Sequence, residues 1–125
     1  MITIRGHEFE FNFLDGGNID KVIKAKENVI QKNNELLNYK NGGEFSLEKF
    51  RDLLNDGCTM IFEFFDTILG EGTSAVIFED RHNFEECLNT FLEFSKDFNS
   101  EMNKQTTDFK NKMINLTTPT GKKGK

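Results

Sequence analysis

The sequence predicts a mainly α-helical protein with about four helices and an N-terminal β-hairpin. Apolar residues alternate with a period of two over residues 2–13, and from residue 19 they recur at helical spacing. Glycine-rich breaks at 41–43 and 70–72 separate the helical segments. The length of 125 residues favours one domain, which we place at residues 1–114. Residues 115–125 are expected to form a disordered basic tail.

The hairpin prediction rests on the first 13 residues. Ile2 and Ile4 share one side of an extended chain, and the alternation continues through Phe9, Phe11 and Phe13. Gly6-His7 interrupts the two runs where a tight turn is needed. A two-stranded hairpin is marginally stable alone, so its apolar face is expected to pack on helices.

Capping residues predict where the helices begin. We expect the first helix to run from Ile19 to Tyr39, with Asn18 as its N-cap and Asn41-Gly42-Gly43 as its stop. A short helix is expected to start at Thr73 or Ser74. Two further predicted N-caps are Ser46, before a helix that ends at Gly70, and Asn83, which has Glu86 at capping-box spacing.

The second and last helices carry wide apolar faces rich in phenylalanine, of which the chain has 14. Gly57 interrupts the face of the second helix and is expected to mark the close approach of another backbone. Phe64 and Phe94 lie toward the edges of these faces, which leaves two interpretations open. They belong either to a broad buried face or to an exposed patch that meets a partner. The candidate partner-binding residues are Phe64, Phe94, Leu92 and Met102.

Composition argues against several classes of function. The net charge is −5, although Lys122, Lys123 and Lys125 lie in the tail, so the rest of the chain is more acidic still. An acidic surface disfavours nucleic acids and anionic membranes. No apolar run approaches membrane-spanning length, and the N-terminus lacks the pattern of a signal peptide, so we expect a cytoplasmic protein.

No motif predicts catalysis or ligand binding. Cys58 and Cys87 form no Cys-x-x-Cys pair, and both fall on apolar helix faces. His7 and His82 show no metal-ligand spacing. The glycines around Glu71 lack the Gly-Lys-Ser/Thr of a phosphate-binding loop and fit helix ends instead. We therefore expect no enzymatic activity, no cofactor and no metal.

Several residues together resemble a known family. They are Phe64-Phe65-Asp66, Leu69-Gly70-Glu71-Gly72-Thr73, Ile77-Phe78, Asn83, Cys87-Leu88 and Phe91 to Phe94, with the opening MITIRGHEFEFNF. Over roughly residues 1–100 the chain resembles the tail assembly chaperones of long-tailed phages and prophages of Gram-positive bacteria. The resemblance implies binding to the tape measure protein, which the chaperone keeps soluble during tail assembly. It also implies absence from the mature virion.

The resemblance also implies a second partner, a longer form of the same protein. Such families often make a longer product by ribosomal frameshifting, and Gly121-Lys122-Lys123 is compatible with a slippery adenine run. A lysine-rich tail without frameshifting is the other interpretation. The narrow apolar stripe from Ile19 to Leu37 is compatible with a homo-oligomer or with a peripheral helix. The alternative function is a small helical regulatory or adaptor protein of a mobile element, similar to an antitoxin-like inhibitor.

Overall fold

The computed structural model describes residues 1–40 and 46–117. These residues form β1 (Ile2–Ile4), β2 (His7–Phe9), α1 (Gly16–Lys40), α2 (Leu47–Leu69), α3 (Thr73–Phe78) and α4 (Phe84–Thr117). The predicted mainly α fold with an N-terminal β-hairpin is confirmed. The predicted stop at Asn41-Gly42-Gly43 lies outside the described residues, as do residues 118–125 of the predicted tail.

The chain consists of two compact units, Met1–Phe94 and Ser95–Lys125. The described part of the second unit is the C-terminal part of α4. Helix α4 continues to Thr117, whose Oγ1 donates to the carbonyl oxygen of Ile114 at 2.9 Å. The predicted disorder of residues 115–117 is therefore wrong, whereas one domain over residues 1–114 stays a prediction.

The hairpin is shorter than the predicted span of residues 2–13. Ile2 pairs with Phe9 and Ile4 with His7, in antiparallel register. Arg5 and Gly6 occupy the turn with φ angles of 49° and 83°, as a two-residue hairpin turn with a right-handed strand twist requires. The turn thus lies one residue before the predicted Gly6-His7. Strand β2 ends at Phe9.

Helix α1 begins three residues before the predicted start. The Asp15 carboxylate accepts a hydrogen bond from the Gly17 amide at 2.8 Å and therefore caps the helix. The prediction of Asn18 as N-cap is wrong, because its side chain instead donates to the Asn12 carbonyl oxygen at 3.1 Å. Val22 and Ala25 are buried on α1, which packs along α2.

Helix α2 begins and ends as the sequence predicts. The Ser46 hydroxyl accepts from the Lys49 amide at 3.1 Å, which confirms the predicted cap. Gly70 ends the helix with a φ of 110° and a ψ of 153°, a conformation reserved for glycine. The Asp66 carboxylate then accepts from the Ser74 amide at 2.7 Å and from its hydroxyl at 3.0 Å. This contact anchors the start of α3 to the end of α2.

Phenylalanine rings form the centre of the first unit. Phe65 of α2 lies 5.9 Å from Phe78 of α3 and 5.2 Å from Phe94 of α4, measured between ring centroids. Such edge-to-face and tilted contacts add stabilisation beyond the buried area. Other buried side chains of the first unit on these helices include Ile61, Phe64, Ile68 and Ile77, together with the two cysteines, Cys58 and Cys87.

Candidate partner-binding groove

An apolar groove opens on the surface of the first unit between α1, α2 and the start of α4. Its volume is about 290 Å³. Apart from Asn33 and Gly57, every side chain that lines it is a leucine, a methionine or a phenylalanine. This size and lining suit the apolar side chains of a partner helix. The lining residues, which define the groove, are Asn33, Leu36, Leu37, Leu53, Leu54, Gly57, Met60 and Phe84.

Gly57 shapes one wall of the groove. A Cβ atom at this position would lie 2.7 Å and 2.9 Å from two carbon atoms of the Phe84 ring. The ring of Phe84 therefore lies directly against the helix backbone, a contact that a larger residue would displace. The predicted close approach at Gly57 is present, but its partner is an aromatic ring. The expectation of a second backbone is wrong.

A second, wider depression of about 830 Å³ adjoins the groove, because Leu54 and Phe84 line both. Leu88 contributes to its lining, one helical turn beyond Phe84. Leu92 lies one further turn along α4 and is 54% exposed. Apolar side chains thus continue from the groove along the exposed side of α4.

Polar contacts hold the start of α4 beside the groove. The Asn83 carboxamide accepts from the Glu86 amide at 3.1 Å, which confirms Asn83 as the N-cap. The reciprocal half of the predicted capping box is wrong, because the Glu86 carboxylate instead accepts from Arg81 at 2.9 Å. This hydrogen bond from Arg81 holds the pKa of Glu86 below its usual value. These contacts fix the N-terminus of α4, so that Phe84 is its first residue.

The four predicted partner-binding residues differ in how far the structure buries their side chains. Phe64 and Phe94 are core residues, 3% and 6% exposed, so the interpretation of an exposed patch at these two positions is wrong. Phe64 is covered because its ring meets Phe91 of α4 at 4.8 Å. Leu92 is exposed on the first unit, and Met102 is half-buried on the second. Partner binding by Leu92 and Met102 stays a prediction.

The groove itself was missed in the sequence. Leu53 and Leu54 match the helical period of the α2 core face, but they lie at its N-terminal end and are only half-buried. Leu36 and Leu37 belong to the narrow stripe of α1. The one sequence signal that pointed to this site was the glycine at position 57, inside an apolar helical pattern.

The described residues hold no cluster of three or more histidine, cysteine or acidic side chains placed to bind a metal ion. The acidic residues near the glycine-rich break have other roles. Asp66 binds Ser74, as described above, and Glu79 accepts from Arg81 at 3.2 Å. The ring of His82 packs edge-on against Phe62, with ring centroids 5.2 Å apart.

Residues 5–123 match the model of a family of unknown function, DUF6673. The chain belongs to this family. No curated protein and no solved structure matches the chain. Within residues 1–40 and 46–117, no helix of this DUF6673 member is both long enough and apolar enough to cross a membrane.

Proposed function

We propose that this protein is a phage or prophage tail assembly chaperone that binds the tape measure protein and keeps it soluble during tail assembly. The proposed role is non-enzymatic, is performed in the cytoplasm of the bacterial host, and ends before the virion is complete. The sequence resemblance described above supports the proposal. The structural observation that carries it is the apolar groove between α1, α2 and α4.

The groove suits one kind of ligand. Helical partners place apolar side chains three, four and seven residues apart into apolar grooves of this kind. A methionine in the lining, here Met60, adapts to side chains of different shape. A chaperone for a long helical protein needs this tolerance, because it must bind many similar turns rather than one sequence.

The charge of the first unit suits a role in keeping a partner soluble. Residues 1–94 contain 18 aspartate and glutamate residues against nine lysine and arginine residues, a net charge of −9. Bound copies would coat an apolar helical protein with negative charge. Mutual repulsion between such complexes opposes aggregation.

A binding experiment tests the proposed role of the groove. Leu37 lines the groove and is exposed, so Leu37→Asp is expected to leave the fold intact and to weaken binding of the tape measure protein at least tenfold, about 1.4 kcal/mol. Val76→Asp is the matched control, because Val76 is equally exposed but lies outside the groove lining. The affinity of each variant for fragments of the tape measure protein is measured by calorimetry. The fragments come from the tape measure gene that neighbours the gene of this protein. Equal affinities of the two variants would contradict the assignment of the groove.

The gene provides an independent test of the proposed family role. We expect a slippery adenine run over the codons of Lys122 and Lys123, opening into an overlapping frame that encodes a longer form of the protein. Sequencing through the stop codon and mass spectrometry of the expressed products check this. Interrupted lysine codons with a closed second frame would remove the longer product as a partner. A long tape measure gene directly downstream would distinguish a tail chaperone from a regulatory or adaptor protein.

A further inference from the structure

A second exposed apolar surface lies on the C-terminal part of α4. Its apolar residues recur at intervals of seven, four and three. At about 100° per residue, their four positions fall within about 60° of one helix face. Phe109, Met113 and Leu116 are 47%, 44% and 79% exposed, so the face is largely uncovered. This apolar stripe is defined by Met102, Phe109, Met113 and Leu116.

Lysines lie on both sides of the stripe. Around the helix axis, Lys110 lies about 100° from Phe109 on one side, and Lys112 lies about 60° from it on the other. A lysine at the edge of an apolar face can lay its methylene groups along that face while its ammonium group stays in a polar layer. In the part of the chain that the structure describes, Lys104, Lys110 and Lys112 form no ion pair. Their charges are therefore available to an anionic surface.

Charge is segregated along the chain. Residues 103–125 contain six lysines and one acid, Asp108, a net charge of +5, although the whole chain carries −5. The argument against anionic membranes rests on the acidic remainder of the chain and does not apply to this segment. Each lysine close to an anionic bilayer adds to the attraction, and clusters of about four to eight lysines and arginines are typical of segments that bind anionic lipids.

We propose that the C-terminal part of α4 binds the surface of an anionic lipid bilayer. The helix lies in the plane of the surface, with the stripe at the boundary of the acyl chains and with Lys110 and Lys112 among the lipid phosphates. A basic amphipathic helix is typical of this mode of binding. A nucleic acid would pair with the lysines but would leave the stripe in water, whereas a bilayer accommodates both. This binding goes beyond the proposed function and does not depend on it.

Sedimentation with lipid vesicles tests the proposal on the full-length protein. The wild type is expected to sediment with vesicles of equal parts phosphatidylglycerol and phosphatidylcholine, and to stay in solution with phosphatidylcholine alone. Phe109→Gln removes the aromatic ring of the stripe without changing the charge, and is expected to weaken binding about tenfold. Ile114→Gln is the matched control, because Ile114 is 58% exposed but lies about 140° around the helix from Phe109. Its binding is expected to stay within about twofold of the wild type, and both variants are expected to keep the wild-type circular dichroism spectrum.

Several results of the vesicle experiment would overturn the proposal. A wild-type protein that stays in solution with the anionic vesicles would do so, and would leave the stripe to a protein partner. Equal binding of Phe109→Gln and the wild type would also do so, because the lysines alone would then adsorb to the vesicles as to any polyanion. So would an equal loss of binding in Ile114→Gln, because the stripe would then not be the face that contacts the lipid.

Tryptophan fluorescence reports directly which side of the helix enters the lipid. The chain contains no tryptophan, so Phe109→Trp and Ile114→Trp each introduce a single one. On addition of the anionic vesicles, the emission of Phe109→Trp is expected to shift to shorter wavelength, because the indole ring leaves water, whereas the emission of Ile114→Trp stays unchanged. The same shift in both variants, or a shift in neither, would contradict the proposed orientation of the helix.

The contribution of the lysines has its own measurement. Salt screens the attraction between exposed lysines and lipid phosphates, so vesicle binding of the wild type is expected to weaken severalfold between about 50 mM and about 500 mM salt. Binding that does not weaken with salt would remove the charge complementarity on which the choice of an anionic bilayer depends. No tape measure protein is present in these measurements, so their outcome is separate from that of the proposed chaperone function.

Discussion

Phe64→Asp is expected to unfold the first unit rather than to remove a binding surface. The Phe64 side chain is 3% exposed, and its ring makes edge-to-face contacts with Phe65, Phe91 and Phe94 at centroid distances of 4.8 to 5.8 Å. Truncating such a ring costs about 3–5 kcal/mol. Burying a carboxylate in its place adds to that cost. The sum approaches the whole stability of a typical domain, about 5–15 kcal/mol.

Urea unfolding followed by circular dichroism measures this effect. Phe64→Ala is expected to lose about 3–5 kcal/mol, and Phe64→Asp is expected to lack the cooperative transition. Leu92→Asp is the matched control on an exposed site, with an expected change within about 0.5 kcal/mol. A Phe64→Asp protein that unfolds at the wild-type urea concentration would show that the ring is not part of the core.

The helices and most of their ends could be predicted, because each depends on local chemistry. The Ser46 and Asn83 caps follow from short polar side chains placed before apolar helical patterns. The predicted start of α1 is wrong, because the prediction took Asn18 as the N-cap. Asp15, on the other side of the same two glycines, has a side chain that suits an N-cap equally well. The structure selects Asp15. The local sequence does not determine which of two suitable residues caps a helix.

The burial of Phe64 and Phe94 could not be settled from helical phase. Both lie at the edge of a wide apolar face, and an edge position is buried only when a neighbouring helix extends over it. In the structure, Phe91 and Phe94 of α4 cover Phe64 of α2. Which helices meet, and at which turn, is a property of the tertiary packing that the spacing within one helix does not contain.

The groove was beyond prediction for the same reason. Its lining comes from α1, α2 and the first residue of α4, which lie up to 51 positions apart in the sequence. Each segment alone matches an ordinary apolar helix face. Only Gly57 broke the pattern, and a glycine indicates that something approaches closely without indicating whether it is a backbone or an aromatic ring. The ring of Phe84 became apparent only in the folded chain.

The thiols of Cys58 and Cys87 are expected to be almost unreactive in the folded protein. Both side chains are fully buried, Cys58 on α2 and Cys87 on α4. Burial raises the pKa of the Cys87 thiol to about 12 and also raises that of Cys58. Because the thiolate is the reactive form, alkylation of Cys87 by iodoacetamide at pH 9 is expected to be at least several hundredfold slower in the folded protein than in urea.

The same pKa shift makes stability depend on pH. Above pH 9 the unfolded chain loses its thiol protons whereas the folded chain retains that of Cys87, so the free energy of unfolding is expected to fall as the pH rises from about 9 toward 12. A Cys58→Ala, Cys87→Ala variant is expected to lose this component. Its difference from the wild type at pH 8 and at pH 10.5 isolates the thiols. Rapid alkylation of Cys87 in the native protein, or identical pH profiles for both proteins, would mean that Cys87 is accessible to solvent in the folded state. The core that positions Phe84 beside the groove would then be mobile.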